Sequence, residues 1–252
     1  MQGSPSPEPK ARPTCAFSGA MAVARVGASR TKPQLVERLG QAAGELGADQ
    51  SYFVSFMHER ERFDSYRFLL ACDPAWCLED ERKNCHLHDP WLYHAKRNGR
   101  PIRGRDIPLR EEERPTVELA ARYGFVSTLI VPTPAAEVPS KGGVLVLGSG
   151  SALFLEDETF SAVKVLARSL ALEINDRLTD LLREERLAVC RLSTLDVDLL
   201  LWEREGLTTK AIARRSGLSH EAIDCRFRRL NAKLGAASRT DAARIAAQYG
   251  LL

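Results

Sequence analysis

Residues 192–247 read LSTLDVDLLLWEREGLTTKAIARRSGLSHEAIDCRFRRLNAKLGAASRTDAARIAA, and this stretch decides what the rest of the chain must serve. Four helices are predicted from its punctuation: Thr194–Glu205 before Gly206, Thr208–Ser216 before Gly217, Ser219–Leu234 before Gly235, and Ser238–Tyr249 before Gly250. Thr208, Ser219 and Ser238 are suited to capping, because a side-chain oxygen accepts from the open N–H groups of a first helical turn. The second and third helices are joined through Gly217, Leu218 and Ser219, the tight spacing of a helix-turn-helix.

On the third helix Ile223, Phe227, Leu230 and Leu234 form one apolar stripe at steps of four, three and four. The other side carries Glu221, Asp224, Cys225, Arg228 and Arg229, a polar face of the kind that enters the DNA major groove. Charge points the same way. From Ala188 to Leu252 there are 11 Lys or Arg against 7 Asp or Glu, while the whole 252-residue chain has 36 against 33. The positive excess therefore sits in the last quarter, and double-stranded DNA is the expected partner.

The stretch resembles the LuxR-type helix-turn-helix over its whole length. The scaffold positions that carry the resemblance are Leu192, Ser193, Leu200, Gly206, Ile212, Ala213, Leu218, Ser219, Ile223, Lys233, Leu234, Gly235, Arg239 and Ala242. Asp196 stands where that family usually has Glu, and Ala211 replaces another Glu. The resemblance implies base contacts from Asp224 and Arg228, with Asp224 orienting Arg228 or accepting from a cytosine amino group. Lys210, Arg214 and Arg215 on the preceding helix are expected on phosphates.

Upstream, residues 1–32 are rich in Pro, Ser, Gly and Ala and are predicted to be a disordered tail; Met21 is an alternative start. From Pro33, Leu35, Val36, Leu39, Ala42, Ala43 and Leu46 predict an amphipathic helix ending at Gly47. Tyr52–Met57 and Tyr66–Cys72 read as a hairpin, Trp76–Asn98 as helix interrupted at Asp89-Pro90, and Glu111–Tyr123 as a helix. Phe125–Val131 and Gly143–Leu147 read as strands around a Pro-rich loop. A long helix follows Phe154, with Phe160, Val163, Ala167, Leu170, Ile174 and Leu178 on one stripe, and it is a candidate dimer surface.

Paired strands split by a helical middle resemble the autoinducer-binding domain of acyl-homoserine-lactone receptors. Trp76, Asp89-Pro90 and Ala121–Phe125 (ARYGF) carry this resemblance. It implies an α/β/α sandwich around an antiparallel sheet, with Asp89 accepting from a ligand amide and Trp76 donating to a lactone carbonyl. Packing of Trp76 in the core and capping by Asp89 is the plain alternative. Asp80, Gly104 and Thr128 depart from the family's pocket residues; Asp80 and Thr128 are kept as ligand-binding candidates, and Gly104 is expected to enlarge or open the pocket. An altered lactone response, another small ligand, or no ligand at all follows.

The expected organisation is thus α+β: a tail (1–32), an α/β/α sensor with an antiparallel sheet (33–185), a linker (186–191) and an all-α four-helix helix-turn-helix domain (192–252). The expected partners are promoter DNA, a small amphipathic signal such as an N-acyl-homoserine lactone, and a second copy of the chain. No apolar run approaches the length of a membrane span, and no secretory signal precedes the six cysteines, so a reducing cytoplasm is expected. Cys72, Cys77, Cys85, His86 and His88 match no zinc spacing, and GGVLVLGSGS (142–151) lacks the Lys-Ser/Thr of a phosphate-binding loop. No cofactor, metal or catalysis is expected. The competing reading is a zinc-dependent or acid/base enzyme on Asp80, Cys85, His86, His88 and Asp89, targeted to DNA by the C-terminal domain.

Overall fold

The computed structural model describes residues 14–57, 65–83, 88–136, 141–248 and 250–252. Five strands, β1 (Gln50–Met57), β2 (Ser65–Ala71), β3 (Ile102–Arg103), β4 (Ser127–Ala136) and β5 (Lys141–Ser149), form one sheet in the order β2-β1-β5-β4-β3. Every pairing is antiparallel.

Strand alternation sorts the apolar residues to two faces. Phe53, Leu129, Val131, Leu145 and Leu147 face a core shared with α1 (Thr14–Val26), α2 (Lys32–Glu45) and α6 (Asp157–Cys190). Tyr52, Val54, Phe56, Ile130, Val144 and Val146 face a second core closed by α3 (Pro74–Lys83), α4 (Pro90–Arg97) and α5 (Arg114–Arg122). The expected α/β/α sandwich is present. The glycine-rich strand has a packing reason: a Cβ at Gly148 would run into the Phe125 ring, one at Gly143 into Phe53.

Two expectations are corrected. The predicted tail contains α1, whose Val23 and Val26 are buried against α2 and α6; a stretch of small residues with few large apolar ones hides a helix that needs a neighbour to form. The predicted linker 186–191 is helical through Cys190, so α6 runs unbroken for 34 residues and only Arg191 turns away, at φ 44°. The stripe Phe160–Leu178 packs on the sheet, leaving Val165 and Leu172 exposed on the outer side of α6.

The C-terminal unit is α7 (Thr194–Arg204), α8 (Thr209–Ser216), α9 (His220–Leu234) and α10 (Arg239–Gln248) around Leu199, Leu200, Trp202, Ile212, Ile223, Phe227 and Leu230. The expected caps form: Thr208 accepts from the Ala211 N–H, Ser219 from Ala222 and Ser238 from Asp241.

Candidate functional site

The hairpin register creates a cavity. Tyr52 lies opposite Leu70 and Val54 opposite Phe68, so these side chains and Tyr66 share one face. α3 adds Trp76, Cys77, Asp80 and Glu81, and α4 adds Leu92 behind its cap Asp89. Together they line a space of about 430 Å³. Behind it Tyr52, Trp76 and Phe125 pack with ring centroids 4.8 to 5.6 Å apart.

Its polar groups are unevenly satisfied. The Trp76 indole N–H and the Tyr52 hydroxyl are buried and have no hydrogen-bond partner among the described residues. Such donors cost about 1–3 kcal/mol each while unmade. Asp89 Oδ1 accepts from the Trp91 and Leu92 N–H groups at 2.8 and 3.1 Å, and Oδ2 has no partner among the described residues. Burial pushes the Asp89 carboxyl up to about 6, against those two N–H groups, and the Asp80 and Glu113 charges add to the rise. Burial likewise raises the Tyr52 phenol well above its ordinary value. The thiols of Cys72 and Cys77 are pushed up to about 12 and about 11, again chiefly by burial, so neither is a ready thiolate.

Of the expected ligand residues, the fold brings Trp76, Asp80 and Asp89 to one cavity; Asp89 caps α4 as well. Thr128 is not on that wall. It is buried on β4 with its Oγ1 against Gly104, where any Cβ would collide with it. Gly104 therefore does not open the pocket, because Thr128 fills the space beside it. Tyr52, Tyr66 and Phe68 escaped the sequence reading; the alternation along the hairpin was the available signal. In the competing cluster, Cys85 and His86 lie outside the described residues, and His88 is exposed.

The second site is the face of α8 and α9. Glu221, Asp224, Cys225, Arg228 and Arg229 are all exposed on α9, and Ser219, Lys210, Arg214 and Arg215 lie exposed beside them. Arg228, Arg214 and Lys210 have no hydrogen-bond or ion-pair partner among the described residues, whereas Arg215 sits over the Trp202 ring at 5.1 Å. Asp224 does not orient Arg228. It pairs with Arg239 of α10, which also donates to Thr209 Oγ1 at 3.1 Å.

A carboxylate organises the base of this unit. Asp196 closes a capping box with Ser193 and accepts from Arg226 at 3.1 Å, with Lys233 at 3.7 Å. Burial opposes its ionisation, but the Ser193 bonds, Lys233 and Arg226 hold its carboxyl below the usual range. Lys233 also donates to the Arg191 carbonyl at 2.7 Å, tying α9 to the end of α6.

Residues 31–178 match the model of the autoinducer binding domain, and residues 191–246 match that of bacterial regulatory proteins of the luxR family. The chain belongs to the LuxR family. It is a DNA-binding transcription regulator with an autoinducer-binding domain. Solved LuxR-family structures share the fold: Escherichia coli SdiA has a TM-score of 0.71 at 20% identity, covering 93% of this chain and 98% of that one. SdiA in complex with octanoyl-rac-glycerol gives 0.70 at 19%, covering 96% and 98%. The N-acylhomoserine lactone-dependent factor CepR2 from Burkholderia cenocepacia gives 0.56 at 14%, covering 66% of this chain and 99% of that one. No curated protein sequence matches this LuxR-family chain significantly. None of its described helices is long and apolar enough to cross a membrane.

Proposed function

We propose that this regulator binds a small amphipathic molecule in the Tyr52–Trp76–Asp89 cavity and, as a cytoplasmic homodimer, reads promoter DNA through α9 without catalysing a reaction. The observation that carries the reading is the pair of buried donors, unpartnered among the described residues, beside the Asp89 carboxylate: a ligand carbonyl supplies their missing acceptor and a ligand amide N–H a donor to Asp89. Residues 33–185, extended by α1, form the sensor, and 192–252 the DNA-binding unit. Ser219, Glu221, Asp224, Cys225, Arg228 and Arg229, with Lys210, Arg214 and Arg215, make up the DNA-facing set. Arg228 contacts a base and Lys210 and Arg214 contact phosphates. A partner copy meets the outer face of α6 at Val165 and Leu172, since the inner stripe is occupied.

Asp80 adds a second carboxylate to the cavity, so a standard lactone is a poor match. Expression with and without acyl-homoserine lactones and 1-octanoylglycerol tests the reading. Soluble chain without lactone, and a shift in DNA affinity with a bound amphiphile, are expected. A requirement for a standard lactone at nanomolar level would contradict it. Light scattering that shows only monomer, free and on DNA, would remove the dimer.

A further inference from the structure

We infer that α6 is a rigid shaft that fixes the bearing of the reading helix α9 on the sensor, and thereby the half-site spacing that the dimer accepts. The inference rests on the dimeric DNA reading proposed above and names what sets its spacing. Where a linker was expected at 186–191, α6 spans both units over 34 residues, and its sequence holds no Gly or Pro at which a helix kinks.

The sensor grips this helix almost to its end. Leu178, Leu181 and Leu182 pack in the core that α6 shares with the sheet. The turn between α1 and α2 and the start of α2 hold α6 from the side: Arg177 donates to the Ser29 carbonyl, and Lys32 pairs with Glu185 at 2.7 Å. The DNA-binding unit takes hold at once. Leu187 packs against its core, the buried Cys190 thiol donates to the Lys233 carbonyl at 3.7 Å, and Lys233 Nζ donates to the Arg191 carbonyl at 2.7 Å. Lys233 lies in the last turn of α9, so the reading helix is pinned to the end of the shaft. From Leu182 to Leu187 is only about one and a half turns, helical throughout, which leaves no free joint. A helix turns by ~100° per residue, so the length of α6 sets the direction in which α9 faces. With two copies joined at the sensor, a misdirected α9 loses the second half-site.

Alanines inserted after Glu185 test this, since alanine keeps the helix. Two alanines turn the DNA-binding unit by ~200°, whereas seven turn it by ~700°, within ~20° of the starting face. Binding is measured on duplexes carrying one half-site, or two at graded spacings, taken from DNA that the unaltered chain selects from a random pool. The unaltered chain should prefer one spacing. Two alanines should lose about a hundredfold on the paired duplexes and keep single half-site binding, and seven should recover paired binding at a shifted spacing. Equal paired binding by the two insertion variants, or none by either, overturns the rigid shaft and leaves the DNA reading in place. An unaltered chain that binds paired half-sites no better than one overturns the dimeric reading and the spacing rule with it. Amide relaxation by NMR on the free, unaltered chain needs no variant: residues 192–252 should tumble together with the sensor, and faster tumbling of that unit overturns the shaft.

Discussion

Arg239, the first residue of α10, forms an ion pair with Asp224 on the exposed side of α9 and lays its guanidinium over the Phe227 ring at 4.7 Å. The reading helix is thereby braced by the helix that follows it. Side-chain exposures of 51% for Asp224 and 29% for Arg239 limit the pair itself to about 0.2–1 kcal/mol. Arg239→Ala should cost more than Asp224→Ala, because it also removes the Thr209 hydrogen bond and the ring contact. A double-mutant cycle in urea checks this; equal single-mutant losses would show that the pair is the whole interaction.

Gly104 and Thr128 should behave as one unit. Gly104→Ala forces a methyl into the Thr128 hydroxyl and is expected to destabilise by about 1–3 kcal/mol. Thr128→Ala in the same chain removes the obstructing oxygen and should recover most of that loss. Additive losses in thermal melts would mean that the two residues do not share the space.

Asp89 gives a pH signature. Its folded carboxyl is raised to about 6, above an ordinary aspartate near ~4, so between those values the folded state holds more protons than the unfolded state. Stability from this group is therefore lost as pH rises from about 4 to about 6. Asp80 and Glu113 push in the same direction as burial, and the Trp91 and Leu92 N–H groups oppose it. Asn is as good a cap as Asp. Asp89→Asn should thus flatten the pH dependence with the α4 cap kept, whereas Asp89→Ala should also lose about 0.5–2 kcal/mol from the cap. Denaturation at several pH values reads both; an unchanged slope in Asp89→Asn would assign the dependence elsewhere.

Helix α1 should be part of the folded sensor. Val26 is fully buried and Val23 nearly so, both against the core of α2 and α6. Removing residues 1–27 is expected to lower the melting temperature and expose apolar surface that binds a hydrophobic dye. A chain that melts as before would return α1 to the status of a tail.

How much of this was legible before the fold depended on the distance over which each signal acts. The helices of 194–248 declare themselves locally, through the caps Thr208, Ser219 and Ser238 and the glycines after them. The periodic stripe of Phe160–Leu178 likewise gives α6, though not where it ends. Trp76 and Asp89 came from a family resemblance, whereas Tyr66 and Phe68 join them only through the β1–β2 register, which no single window of sequence contains. The i,i+4 spacing of Asp224 and Arg228 suggested a pair; Arg239, fifteen residues on, brings its guanidinium closer and takes the carboxylate. Gly104 against Thr128 is again a tertiary contact. Small residues disguised α1, whose reason to be helical lies in α2 and α6 rather than in itself.

The most direct test of the account is whether α9 reads sequence. DNA selected from a random pool by the full chain should contain two related half-sites about 10 base pairs apart, centre to centre. On that DNA Arg228→Ala should lose about 1–3 kcal/mol per base contact and relax one position in each half-site. Lys210→Ala should weaken selected and scrambled DNA alike and flatten the salt dependence. Affinities of both variants for both DNAs at two salt concentrations are the measurement. Selective loss in Arg228→Ala is the predicted result; identical behaviour of the two variants would contradict it.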